Sequence, residues 1–299
     1  MSRAALAALV LGAILMGASP IFVRLADVGP FASAFWRVAL ALPALWAWDL
    51  AERRPNGGVF VWNRSAVLAG VLFAGDLTCW HLSILNTTIA NATFFATTAP
   101  LWVLIGAFVL KSDAVTRYMA FGVALAFLGG ALLVGESLSV APERVTGDLY
   151  GLVTAFFFGG YFLAVRSARQ HQGAARVTLI SSIVTAAILA VVAVLVEPRI
   201  LPASPEGLAA LIALALLSHA GGQGLLAYAL GHLPATFSSL IIFLEAIAAA
   251  GLGWIALGER LSLVQFAGGA VILAGIWIAR PRTGNDPHAA SPLEHSPPT

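Results

Sequence analysis

Apolar residues run along this chain in blocks of roughly twenty, each closed by charged residues or by a cluster containing Pro or Gly. A helix crossing a bilayer core of about 30 Å needs roughly 20 such residues at about 1.5 Å each. Blocks of that length occupy 4–25, 31–50, 64–85, 88–110, 117–136, 147–167, 175–197, 207–231, 235–257 and 262–279. The pattern predicts an all-α membrane protein with ten transmembrane helices and makes the lipid bilayer its first partner.

Composition agrees with that reading. Hydrophobic residues make up 60% of the chain, charged residues only 10%, and the mean hydropathy of +0.91 lies outside the range of soluble globular proteins. The opening "MSRAALAALVLGAILMGASP" has the outline of a secretion signal, but Pro20 follows directly on any cut after Ser19 and nine further blocks come after it, so it reads as helix 1. The lone Cys79 excludes an internal disulfide and a thiolate metal cluster, which leaves packing to hold the helices together. The segment 281–299 carries five prolines and no apolar period, the composition of a disordered tail.

Charge decides orientation. With the N-terminus in the cytoplasm, the inner segments hold Arg3, Arg53, Arg54, Arg64, Lys111, Arg117, Arg166, Arg169, Arg176, Arg280 and Arg282. The outer ends hold only Arg24, Arg144, Arg199 and Arg260, and Arg37 lies within helix 2. The positive-inside bias therefore predicts both termini in the cytoplasm. A net charge of +2 with a single lysine and no basic run excludes a nucleic-acid partner.

The two halves repeat one another. "GASPIFVR" (17–24) sets against "GGYFLAVR" (159–166), "FWRV" (35–38) against "AARV" (174–177), and "LSILNTTIANATF" (82–94) against "LAYALGHLPATF" (226–237). "FGVALAFLGG" (121–130) parallels "AGGAVILAGI" (267–276), where Gly122 and Gly129, and Gly268 and Gly275, stand seven apart. This divides the chain into a first five-helix repeat (1–136), a connecting loop (137–146), a second repeat (147–280) and the tail (281–299). Because five is odd, the second copy enters the membrane from the opposite side, which makes the repeat an inverted one.

These stretches resemble the drug/metabolite transporter superfamily, and within it the ten-helix EamA-type branch. The resemblance is carried by "FWRVALALPAL" at the start of helix 2, by "SILNTTIANATFFATTAPLWVLI" across helices 3 and 4, and by "AYALGHLPATFSSLIIFLEAIAAAGLGWIALGERLSLVQFAGGAVILAGI" across helices 8 to 10. It covers nearly all of 4–280. It implies two inverted repeats around a central cavity, in a monomeric secondary transporter of the bacterial inner membrane that moves small metabolites and needs no cofactor. Length and aromatic content look closest to exporters of aromatic and other neutral amino acids. Export of drugs or other metabolites, a channel-like pore and an intramembrane enzyme stand as alternatives. Two departures matter. The small multidrug relatives exchange protons through a glutamate in helix 1, where this chain has no acid. The second repeat has Ala246 where the family commonly has proline, whereas the first keeps Pro100.

The candidate chemistry is sparse. Glu245 is the only charge in 235–257, about ten residues or roughly 15 Å into helix 9. A carboxylate at that depth costs about 2.5 kcal/mol or more, so a partner is expected. It either binds a substrate amine or a proton, or accepts hydrogen bonds that join the repeats. Arg37 and Asp76 fall at similar depths, roughly 9 and 13 Å from the outer surface, and form either a structural pair or part of a carboxylate site. Arg176, matched to Arg37 by the FWRV/AARV alignment, reads as a topology signal. Trp80, His81, Phe95, Trp102, Phe158, Tyr161, Ser218, His219 and Gln223 are the candidate cavity lining, with Phe95 and Trp102 seven apart on one helical face. The tryptophans Trp46, Trp48 and Trp62 suit an interfacial belt. His81 and His219 lack neighbouring ligands at helical spacing, and no HExxH, GxSxG or GxxxxGK[ST] motif occurs, so neither a metal nor a catalytic residue is expected.

Overall fold

The computed structural model describes residues 2–52, 60–87, 89–113, 115–135, 142–257 and 262–280. The RPNGG connection, the first half of the connecting loop (137–141) and the tail at 281–299 lie outside the described residues. Among the described residues there is no strand. The first crossing is α1 (Arg3–Gly17) followed by α2 (Ser19–Leu25), and the second is α3 (Pro30–Ala39) with α4 (Leu42–Ala51). Then come α5 (Arg64–Asn86), the pair α6 (Ile89–Ala96) and α7 (Ala99–Leu110), and α8 (Arg117–Val134). The second half runs α9 (Val145–Ala168), α10 (Ala174–Val196), α11 (Pro205–Ala213), a π-helical stretch Leu214–Gln223, α12 (Gly224–Leu230), α13 (Ala235–Leu240), α14 (Ile242–Leu257) and α15 (Leu263–Ala279). Seven helical stretches are long and apolar enough to cross a membrane. Three shorter apolar helices, Phe94–Leu110, Arg117–Leu133 and Leu263–Ala279, stand where helices 4, 5 and 10 are expected.

The interruptions have local causes. Pro20, Pro43 and Pro100 each sit in the first turn of the helix that follows a break, where a missing N–H costs nothing. Between α6 and α7, Thr97 and Thr98 also turn their hydroxyls back onto the carbonyls of Phe94 and Phe95, both at 2.7 Å. In the second repeat the corresponding break, at Ile241, carries no proline. There Ser239 donates back to Thr236 O at 3.1 Å, the same bending device without the ring.

Packing relates the halves by exchange. Helix α8 lies against α15, α3 and α4 against α10, and the contact of α5 with α9 is matched by that of α1 with the π stretch and α12. The hydrogen bonds at the ends of α4 and α10 make the relation explicit. Glu52, which closes α4, accepts from the backbone N–H groups of Ala174 and Ala175 at 3.0 and 3.2 Å. Glu197, which closes α10, accepts from those of Phe31 and Ala32 at 2.5 and 3.1 Å. Each carboxylate sits at the positive end of the other's helix, so the two crossings run antiparallel and cap each other reciprocally. Both helices start from a glycine, Gly29 and Gly173, and in each case a Cβ would collide with the capping glutamate.

That register corrects one sequence alignment. With Gly29 set against Gly173 and Glu52 against Glu197, Arg37 no longer faces Arg176, so the FWRV/AARV match is out of step. Arg176 is also more than a topology signal. It is buried, and its Nε and Nη2 hold the two carboxylate oxygens of Asp49 at 2.7 and 2.9 Å while its guanidinium stacks 4.4 Å from the Phe60 ring centre.

The repeated glycines have a plain purpose. A Cβ on Gly122 would stand 2.5 Å from the carbonyl oxygen of Gly275, and one on Gly275 would stand 2.6 Å from that of Gly122. Gly129 and Gly268 oppose each other in the same way, at 2.6 and 2.7 Å. The α8–α15 crossing is thus a backbone-to-backbone contact that only small residues permit.

Candidate functional site

A cavity of about 140 Å³ lies inside the bundle. Helix α5 lines it with Phe73, Asp76, Leu77 and Trp80, spaced three and four residues apart and so sharing one face. Arg37 enters from α3, and Thr154 and Phe158, four apart, from α9. The remaining wall comes from Ile242, Glu245 and Ala246 on α14, from the bend between α1 and α2 at Met16–Pro20, and from Ala96 and Thr97 at the α6–α7 break.

Three of these groups carry charge. Arg37 is only 8% exposed and Asp76 only 7%. Arg37 Nε and Glu245 Oε1 are buried without a hydrogen-bond partner. The Arg37 guanidinium instead approaches the face of Phe73, 5.9 Å from its centre. The hydrogen bonds expected to tie Glu245 to the other repeat are therefore not made at Oε1.

On the side where α1 begins and α15 ends, the cavity is sealed. Phe73 lies between Tyr161 and His219, with ring centres 4.9 and 5.7 Å away, and Phe158 stacks on Tyr161 at 5.9 Å. Beneath these rings, Tyr161 Oη bonds Gln223 Oε1 at 3.2 Å and His219 Nε2 meets Ser182 Oγ at 2.8 Å. Further out, Arg166 and Arg169 of the α9 end donate to the carbonyls of Leu230 and Ala227, both at 2.9 Å. Asp113 accepts from the Ala235 N–H at 2.8 Å and stands 3.8 Å from Arg166. At the opposite end, besides the Gln265–Leu133 bond that joins α15 to α8 at 3.3 Å, the hydrogen bonds among the described residues include two clusters. One joins α5 and α6 to α9 through Thr87, Asn91 and Asp148, and the other joins α3 to α10 and the loop after it through Glu197 and the Trp36–Ile200 bond at 2.7 Å.

Of the expected lining residues, Trp80 and Phe158 face the cavity together with Arg37, Asp76 and Glu245. Tyr161, His219 and Gln223 lie one layer beneath it. Ser218 donates to Leu15 O at 2.9 Å and fastens the π stretch to α1. His81 is buried beside the cavity, its Nδ1 on Leu77 O at 2.6 Å and its ring against Trp80 and Phe31. Phe95 and Trp102 do not line the cavity. They do share a face across the break, but it is turned to α9, where their Cβ atoms lie over Gly151 and Gly159. Phe95 packs edge-on to Phe94, while Trp102 lies on the outer surface, 37% exposed, against Phe156. Sequence reasoning passed over Phe73 and Thr154, although Phe73 stands three residues before Asp76 and Thr154 four before Phe158. Among the described residues no three His, Cys, Asp or Glu side chains converge as metal ligands.

Comparison with known proteins agrees with this architecture. A transporter of Archaeoglobus fulgidus is 27% identical over 287 residues, covering 90% of this chain and 95% of that protein. The pseudopaline exporter of Pseudomonas aeruginosa is 25% identical over 221 residues, covering 73% of this chain and 75% of the exporter. A solved crystal structure superposes with a TM-score of 0.82 at 18% identity, covering 93% of this chain and 97% of its own, and so shares the fold. The profile of the EamA-like transporter family matches twice, over residues 3–135 and 145–280. With one match on each repeat, this chain belongs to the EamA-like transporter family.

Proposed function

We propose that this transporter exports small amino-acid-like metabolites, aromatic and other neutral amino acids foremost, by alternating access. The observation that carries the reading is a cavity walled by Trp80, Phe73 and Phe158 and holding few charges, with the rings of Tyr161 and His219 packed against Phe73 on one side. Aromatic faces suit an apolar side chain and an ammonium group. The arginine and lysine distribution supports a cytoplasmic position for that packed side, and with it an outward-facing form. Movement of α9 against α12 would break the bonds of Arg166 and Arg169 and expose the site to the other side. The similarity to a pseudopaline exporter supports metabolite export as the direction of transport.

The test is transport by purified protein in liposomes, with a panel of radiolabelled amino acids, with and without a pH gradient. Aromatic amino acids are expected to enter and to show counterflow, the acceleration of labelled uptake by unlabelled substrate on the far side. Uptake without counterflow would indicate a pore, and no uptake of any amino acid would remove the reading.

A further inference from the structure

We propose that the cavity recognises its cargo as a zwitterion, with Arg37 anchoring a carboxylate and Asp76 together with Glu245 anchoring an ammonium. The assignment rests on the exporter reading above and names the groups that select the substrate. The argument begins with a comparison inside the same molecule. Two buried arginines lie on neighbouring crossings, α3 and α10. Arg176 meets the cost of burial in the ordinary way, gripped by both oxygens of Asp49 at 2.7 and 2.9 Å. Arg37 is buried to the same degree, yet among the described residues it makes no ion pair, and its Nε has no hydrogen bond.

An unpaired buried charge is expensive, and the usual remedy is a partner within reach. Here two acids line the same cavity as Arg37 but are held on other helices, Asp76 on α5 and Glu245 on α14. Asp76, itself more than nine-tenths buried, accepts no side-chain hydrogen bond from the described residues, and Glu245 Oε1 is likewise without a donor. Opposite charges kept apart around a small cavity form a slot that a molecule with both signs completes. A planar guanidinium matches a carboxylate through two parallel N–H bonds. An ammonium has three donors and needs several acceptors, which the two carboxylates supply. Trp80 and Phe158 then take the apolar side chain.

The experiment uses the whole protein in liposomes and four probes: phenylalanine, its amide, phenylpropionate and phenethylamine. The first is a zwitterion and the others each lack one charge. The unaltered protein should prefer phenylalanine by about tenfold or more over each, the size expected for losing a charged hydrogen bond. Arg37→Gln should erase the preference over the amide while keeping that over phenylpropionate, and Asp76→Asn should do the reverse. Should a variant fail to fold, competition on the unaltered protein decides, since the zwitterion must then inhibit phenylalanine transport far better than the three analogues. A protein that moves phenylalanine and its analogues equally well, or variants that leave both preferences intact, would overturn this assignment alone. A protein that moves no amino acid would remove the exporter reading, and this assignment with it.

Discussion

The two ends of this bundle contain similar helices and opposite hydrogen-bonding. At the end bearing the chain's first and last helical residues, side chains of α9 cross to α12, Asp113 reaches α13, and aromatic rings stack over a polar layer. At the other end, among the described residues, the bonds fall into separate groups that join α5 and α6 to α9, α3 to α10, and α15 to α8. An inverted repeat would make both ends alike if the copies were identical in detail. They differ most at the third crossing. In the first repeat it is one α-helix of 23 residues, and in the second the corresponding stretch contains ten residues of π-helix. A π-helix widens each turn and occurs most often at functional positions. Here it carries His219, whose ring stacks on Phe73, and Gln223, which accepts from Tyr161. The layer at this end therefore rests on a local departure from symmetry on a symmetric frame.

The largest effect is expected from the buried pair at the sealed end. Asp49→Ala leaves Arg176 without its bidentate carboxylate and should destabilise the protein by about 3–5 kcal/mol. Thermal unfolding in detergent would show a marked fall for this variant, with much of the loss recovered when Asp49→Leu is combined with Arg176→Met. An Asp49→Ala protein that melts with the parent would mean that Arg176 is solvated and not a fixed part of this end.

Next in size are the reciprocal caps, which compare the ends directly. Glu52→Ala and Glu197→Ala each remove a carboxylate from the start of a helix in the other repeat, a loss of about 0.5–2 kcal/mol. Equal shifts in melting temperature are expected, because the frame is symmetric here even though the gates are not. A loss at Glu52 alone would show that the asymmetry extends into the frame.

The frame was legible in the chain and the asymmetry was not. Block length gave the helices, and the paired glycines seven apart marked the repeat, although only the structure shows that they meet each other where α8 crosses α15. The alignment failed where a short motif, an arginine before valine, outweighed the helix starts. Gly29 and Gly173, each just before a helix and each facing a glutamate at the end of another, carry the true register, but the facing is a long-range fact. Phe95 and Trp102 do share a face, as their spacing implied, but that face is turned to Gly151 and Gly159 of α9 and not to the cavity, which only the position of α9 reveals. The π stretch had a weaker signal, in that "SHAGGQG" combines small and polar residues where a buried crossing needs neither. Asp49 lay hidden because a lone acid near a helix end looks like an interfacial charge until its arginine is found.

The smallest effect tests the seal itself. Tyr161→Phe keeps the ring that stacks on Phe73 and Phe158 and removes only the hydroxyl bonded to Gln223 at 3.2 Å. One such bond contributes about 1 kcal/mol, a factor of about five in a two-state balance. If the closed end is held by this layer, the loss should shift the population toward opening on that side. Ala227 is buried there, under the Arg169 side chain that bonds its carbonyl. Ala227→Cys in a Cys79→Ser background should react slowly with an impermeant thiol reagent applied from that side, and roughly five times faster once Tyr161→Phe is added. Trp80→Cys, at the cavity wall, should react from the opposite side and slow by a smaller factor as the outward population falls. If labelling at Ala227→Cys is unchanged by the lost hydroxyl, the aromatic stack or the arginine bonds hold this end without the polar layer. The π stretch would then be a consequence of packing against α1 through Ser218 and Gly222, and not the element that decides which side is shut.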